Sequence, residues 1–309
     1  MNEFELIDEI TSGLRQRPDV LLGPGDDAAL ITAADGRVLA STDILIEDVH
    51  FTMEWSSAFD LGRRAAAQNF ADIAAMGGRP TALLVGVAAP NVVRPQWFSD
   101  FARGLQYECD LVGASVIGGD LSAGAKVMIS VTALGSLQGR AAVTRSGARA
   151  GDVIAIAGRL GWSVLGLTAL QREVAADAQL LAAYRVPSPP YSAGIDAALA
   201  GATAMIDISD GLLADAAHIA AASGVTLDLD AGALAPDHAV ENGAAQLGID
   251  ALDAILIGGE DHALLATFPS TTALPASFRR IGRVLVRGEQ RVLVDGMARP
   301  GRQGHDHFG

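Results

Sequence analysis

Cysteine and lysine are almost missing from this chain: Cys109 and Lys126 are the only examples of each in 309 residues. A single thiol excludes an intrachain disulfide and any multi-thiolate metal site, which fits a reducing compartment. The single lysine lies in Gly124-Ala125-Lys126-Val127. That context lacks the Gly-Lys-Ser/Thr ending of a P-loop and the strand lysine of a protein kinase. Positive charge is scarce altogether, with 22 basic residues against 36 acidic ones and a formal charge of -14. An acidic surface repels nucleic acid phosphates and anionic membranes, so neither is expected as a partner. No apolar run reaches the roughly 18 residues of a spanning helix, and the opening Met1-Asn2-Glu3-Phe4-Glu5 is acidic where a secretory leader is basic. A soluble cytoplasmic protein is the expectation.

What the chain does have is apolar content, 50% of residues, and 35 glycines. That is enough for two ordinary domains with substantial cores and argues against disorder. Periodicity predicts a short helix over 4–14, helices over 57–76, 96–111 and 162–172, and another starting near Leu212. Strands are expected at 28–31, 38–40, 81–89, 114–117, 126–134, 152–157, 204–207, 264–268, 282–286 and 291–294. The glycine- and arginine-rich stretch 136–151 lacks apolar periodicity and marks a boundary, giving domains 1–137 and 138–309. Both halves mix strands and helices, an α/β (α+β) pattern.

The apolar segments share a habit of ending in acids. Strand 38–40 is followed by Ser41-Thr42-Asp43, strand 114–117 by Gly118-Gly119-Asp120, and strand 204–207 by Ile208-Ser209-Asp210-Gly211. Ile255-Leu256-Ile257 reads as a further strand leading into Gly258-Gly259-Glu260-Asp261-His262, and Gly23-Pro24-Gly25-Asp26-Asp27 is an acidic turn before another. Each has a bland reading: Asp pairs stabilise turns, and Asp210 makes a helix N-cap. On the helix 57–76, Asn69 and Asp72 share a face that is either solvent-exposed or turned toward a site. Taken jointly, repeated hydroxyl and carboxylate oxygens at element ends are hard ligands that suit Mg²⁺. They point to magnesium holding a nucleotide's phosphates.

The ordered succession Gly25-Asp26-Asp27-Ala28-Ala29, Ser41-Thr42-Asp43, His50-Phe51, Asn69-x-x-Asp72-Ile73-Ala74-Ala75-Met76-Gly77, Gly118-Gly119-Asp120, Thr144-Arg145-Ser146-Gly147-Ala148, Asp207-Ile208-Ser209-Asp210-Gly211-Leu212, Gly258-Gly259-Glu260-Asp261 and Asp306-His307-Phe308 resembles the thiamine-monophosphate kinases, within the aminoimidazole-ribotide synthetase-like superfamily. The resemblance implies a two-domain fold of that superfamily, with an N-terminal β-rich domain that binds ATP and magnesium and forms a homodimer. A C-terminal α/β domain completes the substrate site. It implies ATP-dependent phosphorylation of thiamine monophosphate to thiamine diphosphate, the last step of thiamine diphosphate biosynthesis, with several Mg²⁺ ions. Asp27, Ser41, Thr42, Asp43, Asp72, Asp120, Asp207 and Asp210 would be metal ligands. Gly119, Asp120, Arg145 and Ser209 would meet ATP, and His50, Glu260 and His305 the thiamine side. Asp43, Asp120, Arg145 and Asp210 would carry the chemistry. His305 and His262 stand where the family usually has an aromatic and a tyrosine.

Phosphoryl transfer of this kind asks the protein for positioning and charge neutralisation rather than covalent work. The acceptor is a phosphate monoester with a second pKa near ~6, already largely dianionic at neutral pH, so no general base is needed. Direct in-line transfer without a phospho-enzyme is expected, with His50 as a positioning group and Arg145 as a mobile cation. Two other readings compete. A sister enzyme of the superfamily would activate an amide or carboxylate oxygen, although the cysteines of the selenophosphate and hydrogenase-maturation branches are lacking. A non-catalytic metal- or nucleotide-binding module would share the composition.

Overall fold

The computed structural model describes residues 9, 11–24, 28–301 and 304. The chain divides into two compact units, Met1–Ile73 with Gly78–Gly139, and Ala74–Gly77 with Arg140–Gly309. The helix expected over 4–14 and the acids Asp26 and Asp27 lie wholly or largely outside the described residues, as do His305 and the Asp306-His307-Phe308 ending.

The first unit is built on a sheet of four strands in the order β3-β6-β4-β5, with a two-stranded β1-β2 pair (Val20–Leu22 and Leu30–Ile31) beside it. Strand β3 (Leu39–Ile46) pairs antiparallel with β6 (Met128–Ser136), which pairs antiparallel with β4 (Arg79–Ala89). The fourth strand, β5 (Ser115–Ala123), runs parallel to β4. Parallel neighbours need a crossover, supplied by helix α2 (Pro95–Val112). Helix α1 (Ala58–Ala75) opens with a reciprocal cap: Ser57 Oγ accepts the Asp60 N–H at 3.1 Å while Asp60 Oδ2 accepts the Ser57 N–H at 3.2 Å. The two helices touch main chain to main chain. A Cβ on Gly62 would stand 2.1 Å from the Phe101 carbonyl, and one on Gly104 2.1 Å from that of Phe59.

Two strands outrun their expected ends. The Ser41-Thr42-Asp43 segment lies inside β3, and Gly118-Gly119-Asp120 inside β5. Polar residues are accepted mid-strand here because each strand has a partner to satisfy its main chain and a partly exposed face. Gly119 has a steric cause as well, since a Cβ there would meet the Val85 carbonyl at 1.9 Å.

The second unit carries a six-stranded sheet in the order β12-β9-β11-β7-β10-β8, made of β7 (Val153–Ala157), β8 (Ala204–Asp207), β9 (Val225–Leu229), β10 (Leu264–Phe268), β11 (Arg279–Val286) and β12 (Val292–Val294). All its pairings are antiparallel except β12 with β9. Every residue of β7 is buried, because the sheet is covered on both sides. Ile154 and Ile156 pack with Leu165 of α3 (Trp162–Gln171) and Leu212 and Ile219 of α6 (Leu212–Ser223). Val153, Ala155 and Ala157 join Phe268 and Ala193 of α5 (Tyr191–Leu199). Three further helices, α4 (Ala178–Arg185), α7 (His238–Leu247) and α8 (Ala251–Ile257), were not expected from periodicity. The last corrects the sequence reading: Ile255-Leu256-Ile257 ends a helix, not a strand. Asp250 accepts the Asp253 N–H and caps that helix, a local signal stronger than the short apolar run.

Candidate active site

In the first unit, alternation along β3 sends Ser41 and Asp43 to one face, with buried Leu45, and Thr42 to the other. Ser41 Oγ donates to Asp72 Oδ2 at 2.5 Å, and Gln68 Nε2 to Asp43 Oδ2 at 3.3 Å. The Gln68 and Asp72 side chains of α1 therefore reach β3, and Asn69 between them is fully buried. The polar face of α1 is thus turned to β3 rather than to solvent. Thr42 instead donates to the Val131 carbonyl at 3.0 Å and accepts from Thr132 Oγ1 at 3.0 Å, so its hydroxyl does not join Ser41 and Asp43.

His50 is held by a turn in which its Nδ1 accepts the Ile46 N–H at 3.0 Å. That bond leaves Nε2 as the position that carries the proton in the neutral ring. On β5, Asp120 is exposed and accepts from Ser122 Oγ at 3.0 Å. Gly119 and Asp120 border a cleft of about 460 Å³ whose wall includes Phe98, Phe101, Leu105 and Val116. An apolar wall with a few polar groups at its rim suits a flat ring system attached to a charged tail.

In the second unit, the sheet register gathers three loops at one end. Leu264, at the start of β10, is opposite Ala157 at the end of β7 and opposite Asp207 at the end of β8. The loops 158–161, 208–211 and 258–263 therefore leave the sheet side by side. Two of them are stitched together by main-chain bonds: Ile208 N–H to the Ala263 carbonyl at 2.8 Å, His262 N–H to Ile208 at 2.9 Å, and Glu260 N–H to Ser209 at 2.8 Å. Gly259 permits that approach, since a Cβ there would meet the Ser209 carbonyl at 2.4 Å. Glu260 and His262 both adopt the left-handed conformation, at φ 68° and 52°. Non-glycine residues hold it at a cost and tend to do so at functional sites.

Two buried carboxylates fix these loops. Asp215 Oδ2 accepts the N–H groups of Ser209, Asp210 and Gly211 at 3.0, 3.1 and 3.1 Å. Burial pushes Asp215 up to about 7, and the negative charges of Asp207 and Asp210 add to the shift. Asp261 accepts the N–H groups of Gly161 and Ser163 at 2.5 and 2.9 Å, and burial pushes it up to about 7 as well. Asp210 is thus not the N-cap of α6. Gly211 takes that place, and Asp215 reaches back from the first turn to satisfy the loop amides. Ser209 and Asp210 are half-buried at the loop surface, while Asp207 is buried beneath them.

Arg145 lies elsewhere in this unit. Its carbonyl accepts from Ser223 Oγ at 3.1 Å, at the last residue of α6, whereas Asp210 precedes the first. The length of a 12-residue helix, about 18 Å, separates the two main-chain positions.

The donors on these elements are hydroxyl and carboxylate oxygens, the chemistry Mg²⁺ takes. Among the described residues no three His, Cys, Asp or Glu side chains are grouped closely enough to hold a metal. That is compatible with magnesium, which is commonly held by one or two carboxylates together with substrate phosphates and water.

Residues 25–137 match the family described as AIR synthase related protein, N-terminal domain. Over its full length the chain is 50% identical to a thiamine-monophosphate kinase of Mycobacterium tuberculosis (strain CDC 1551 / Oshkosh), of which the match covers 92%. The chain belongs to the thiamine-monophosphate kinase family. A crystal structure of the thiamine-monophosphate kinase from Stenotrophomonas maltophilia K279a superposes with a TM-score of 0.81 at 34% identity, covering 97% of this chain and 98% of that one. AaThiL complexed with AMPPCP and TMP superposes at 0.80 with 30% identity, covering 98% and 97%. The fold class expected from the sequence is the one found, and thiamine-monophosphate kinase is the family that the ordered motifs indicated. Asp215 and Asp261 were passed over as candidates. The signal for Asp215 was an acid in the first turn after Asp-Gly, where a carboxylate meets unpaired amides. Asp261 gave no local signal, because its partners lie about 100 residues away.

Proposed function

We propose that this chain transfers the γ-phosphoryl group of ATP to the phosphate of thiamine monophosphate, yielding thiamine diphosphate and ADP in the cytoplasm. The observation that carries the reading is full-length similarity to a thiamine-monophosphate kinase at 50% identity. The match to AaThiL complexed with AMPPCP and TMP supports the substrate pair.

In the first unit, the cleft beside Gly119 and Asp120 takes the adenine nucleotide. Asp43 and Asp72 present carboxylates already steered by Gln68 and Ser41, and with Asp27, Ser41, Thr42 through its main chain, and Asp120 they hold magnesium. In the second unit, Asp207 and Asp210 have the same role, Ser209 contacts ATP and Glu260 the thiamine side; His50 of the first unit and His305 also meet the thiamine side. Bound Mg²⁺ supplies neutralisation of the phosphate charge. The protein's own work is orientation. Asp215 fixes the amides of Ser209 and Asp210, the His50 turn sets the direction of its imidazole, and the dianionic acceptor attacks without a base. Arg145 is assigned to ATP by family likeness, and its distance from Asp210 within the second unit makes it a separate contact.

The reading includes a homodimer. One face of the first unit's sheet exposes Thr42, Ile44, Leu84 and Met128, and the register sets Thr42, Thr132 and Leu84 in one row. An apolar sheet face of this kind is covered in stable assemblies, and Ile44→Glu is expected to shift sedimentation to that of a monomer.

The direct test is ADP release from ATP and Mg²⁺ with and without thiamine monophosphate, alongside mass detection of thiamine diphosphate. Acceptor-dependent ADP with matching diphosphate is expected. Turnover with formylglycinamidine ribotide instead would move the chain to a sister activity.

A further inference from the structure

The loop leaving β7 has the outline of a phosphate loop, Gly158-Arg159-Leu160-Gly161 between a strand and a helix, with both glycines at positive φ. The amides at its helix end are already engaged. Asp261 accepts the Gly161 and Ser163 N–H groups at the start of α3, so those two are not offered to an anion. The loop offers Arg159 in their place.

The Arg159 guanidinium carbon stands 4.4 Å from the centre of the Trp162 ring. Trp162 is a fixed platform, buried and with its indole N–H donated to Asp237 Oδ2 at 2.9 Å, and Asp237 in turn caps α7. Among the described residues the exposed guanidinium has no ion pair within 4.0 Å and no hydrogen bond; besides the stacking it interacts at longer range with the Asp261 carboxylate. A guanidinium held over an indole ring keeps N–H groups to offer, and a guanidinium fork takes phosphate bidentately. Stacking also limits the rotamer freedom lost when an anion arrives.

Position supplies the ligand. β7 and β8 flank β10, so the Arg159 loop leaves the sheet about 10 Å from Asp207, within reach of an extended arginine and a bound phosphate. The neighbouring loop carries Glu260, and the same sheet end carries Asp207, Ser209 and Asp210. Thiamine monophosphate carries one cationic ring and one anionic group. A guanidinium beside a carboxylate-bearing loop matches that pair of charges, with Glu260 for the thiazolium and Arg159 for the phosphate.

We propose that Arg159, stacked on Trp162, grips the phosphate of thiamine monophosphate and sets the preference for the monophosphate over unphosphorylated thiamine. The inference rests on the kinase reading above. It is tested by steady-state kinetics of the full-length protein and of Arg159→Ala, Arg159→Gln and Arg159→Lys, with thiamine as a competitive inhibitor and circular dichroism to check the fold. The KM for thiamine monophosphate is expected to rise at least tenfold in the Ala and Gln variants and less in the Lys variant. The KM for ATP and the inhibition constant of thiamine should stay within twofold. A KM for thiamine monophosphate unchanged in Arg159→Ala overturns the inference alone, as does a parallel loss of thiamine affinity. Absence of acceptor-dependent ADP in the unsubstituted protein overturns the kinase reading and the inference with it.

Discussion

The Nδ1 atom of His262 lies 3.0 Å from Oδ2 of Asp207, and both side chains are buried. The contact ties the start of β10 to the end of β8, so the imidazole acts on the acidic loop from below. Asp207 is also a proposed metal ligand, and the bond fixes where its carboxylate points.

Replacing His262 with alanine should leave a buried carboxylate without this partner, a change that costs about 3 kcal/mol. His262→Asn should be milder, because asparagine keeps a donor and tolerates the φ of 52° observed there. Urea midpoints of the two variants decide the matter, and equal destabilisation would show that the bond contributes little.

Asp120 is exposed and, among the described residues, its side chain bonds only to nearby Ser122, so Asp120→Asn should change stability by no more than about 0.5 kcal/mol. Turnover should nevertheless fall by roughly a hundredfold, with a raised magnesium requirement, through lost electrostatic stabilisation. Asp43→Asn should behave alike, since the amide oxygen can still accept from Gln68. Loss of activity accompanied by unfolding would contradict a site role for either residue.

Gly119 shows the opposite combination. A Cβ placed 1.9 Å from the Val85 carbonyl must push β5 away from β4, and Gly119→Ala should cost about 3 kcal/mol or more through overpacking. A thermal midpoint within a degree or two of the parent would mean that the strand pair yields easily.

Burial raises Asp261 from an ordinary value of 3.8 to about 7, opposed by the Ser163 and Gly161 amides, His262 and Arg159. Between those two values the folded state keeps a proton that the unfolded chain releases. Stability therefore falls as pH rises from about 4 to about 7 and levels off above, by at most about 1.4 kcal/mol per pH unit for this group. Asp261→Asn should flatten that part of the dependence while retaining one acceptor oxygen. Denaturant unfolding at pH 5 and pH 8 measures it, and an unchanged difference between the two pH values would refute the assignment; Asp215 contributes a slope of the same sign.

Much of this could be read from residue order. The Ser57/Asp60 cap, the helix over 95–112 and the strand 264–268 follow from local signals. Strand ends were misread where polarity stood in for a boundary. Ser41 to Asp43 and Gly118 to Asp120 continue their strands because partners across the sheet satisfy the main chain, a non-local cause. The same holds for Asp261, whose amide partners are on α3, and for His262, whose role depends on the register of β8 and β10. Thr42 follows Ser41 in sequence, but the two-residue strand period sends its side chain to the opposite face.

The helix crossing at Gly62 and Gly104 carries a lesson for mutational scanning. Each glycine faces a carbonyl of the other helix at a distance that no added carbon can share, so a compensating change at a neighbouring side chain cannot restore the fit. In a saturation library both positions should read as intolerant as the acids of the site, although neither has any chemistry to offer. A conservation score alone would place them among the functional residues, and only a stability assay run beside the activity screen would separate scaffold from site.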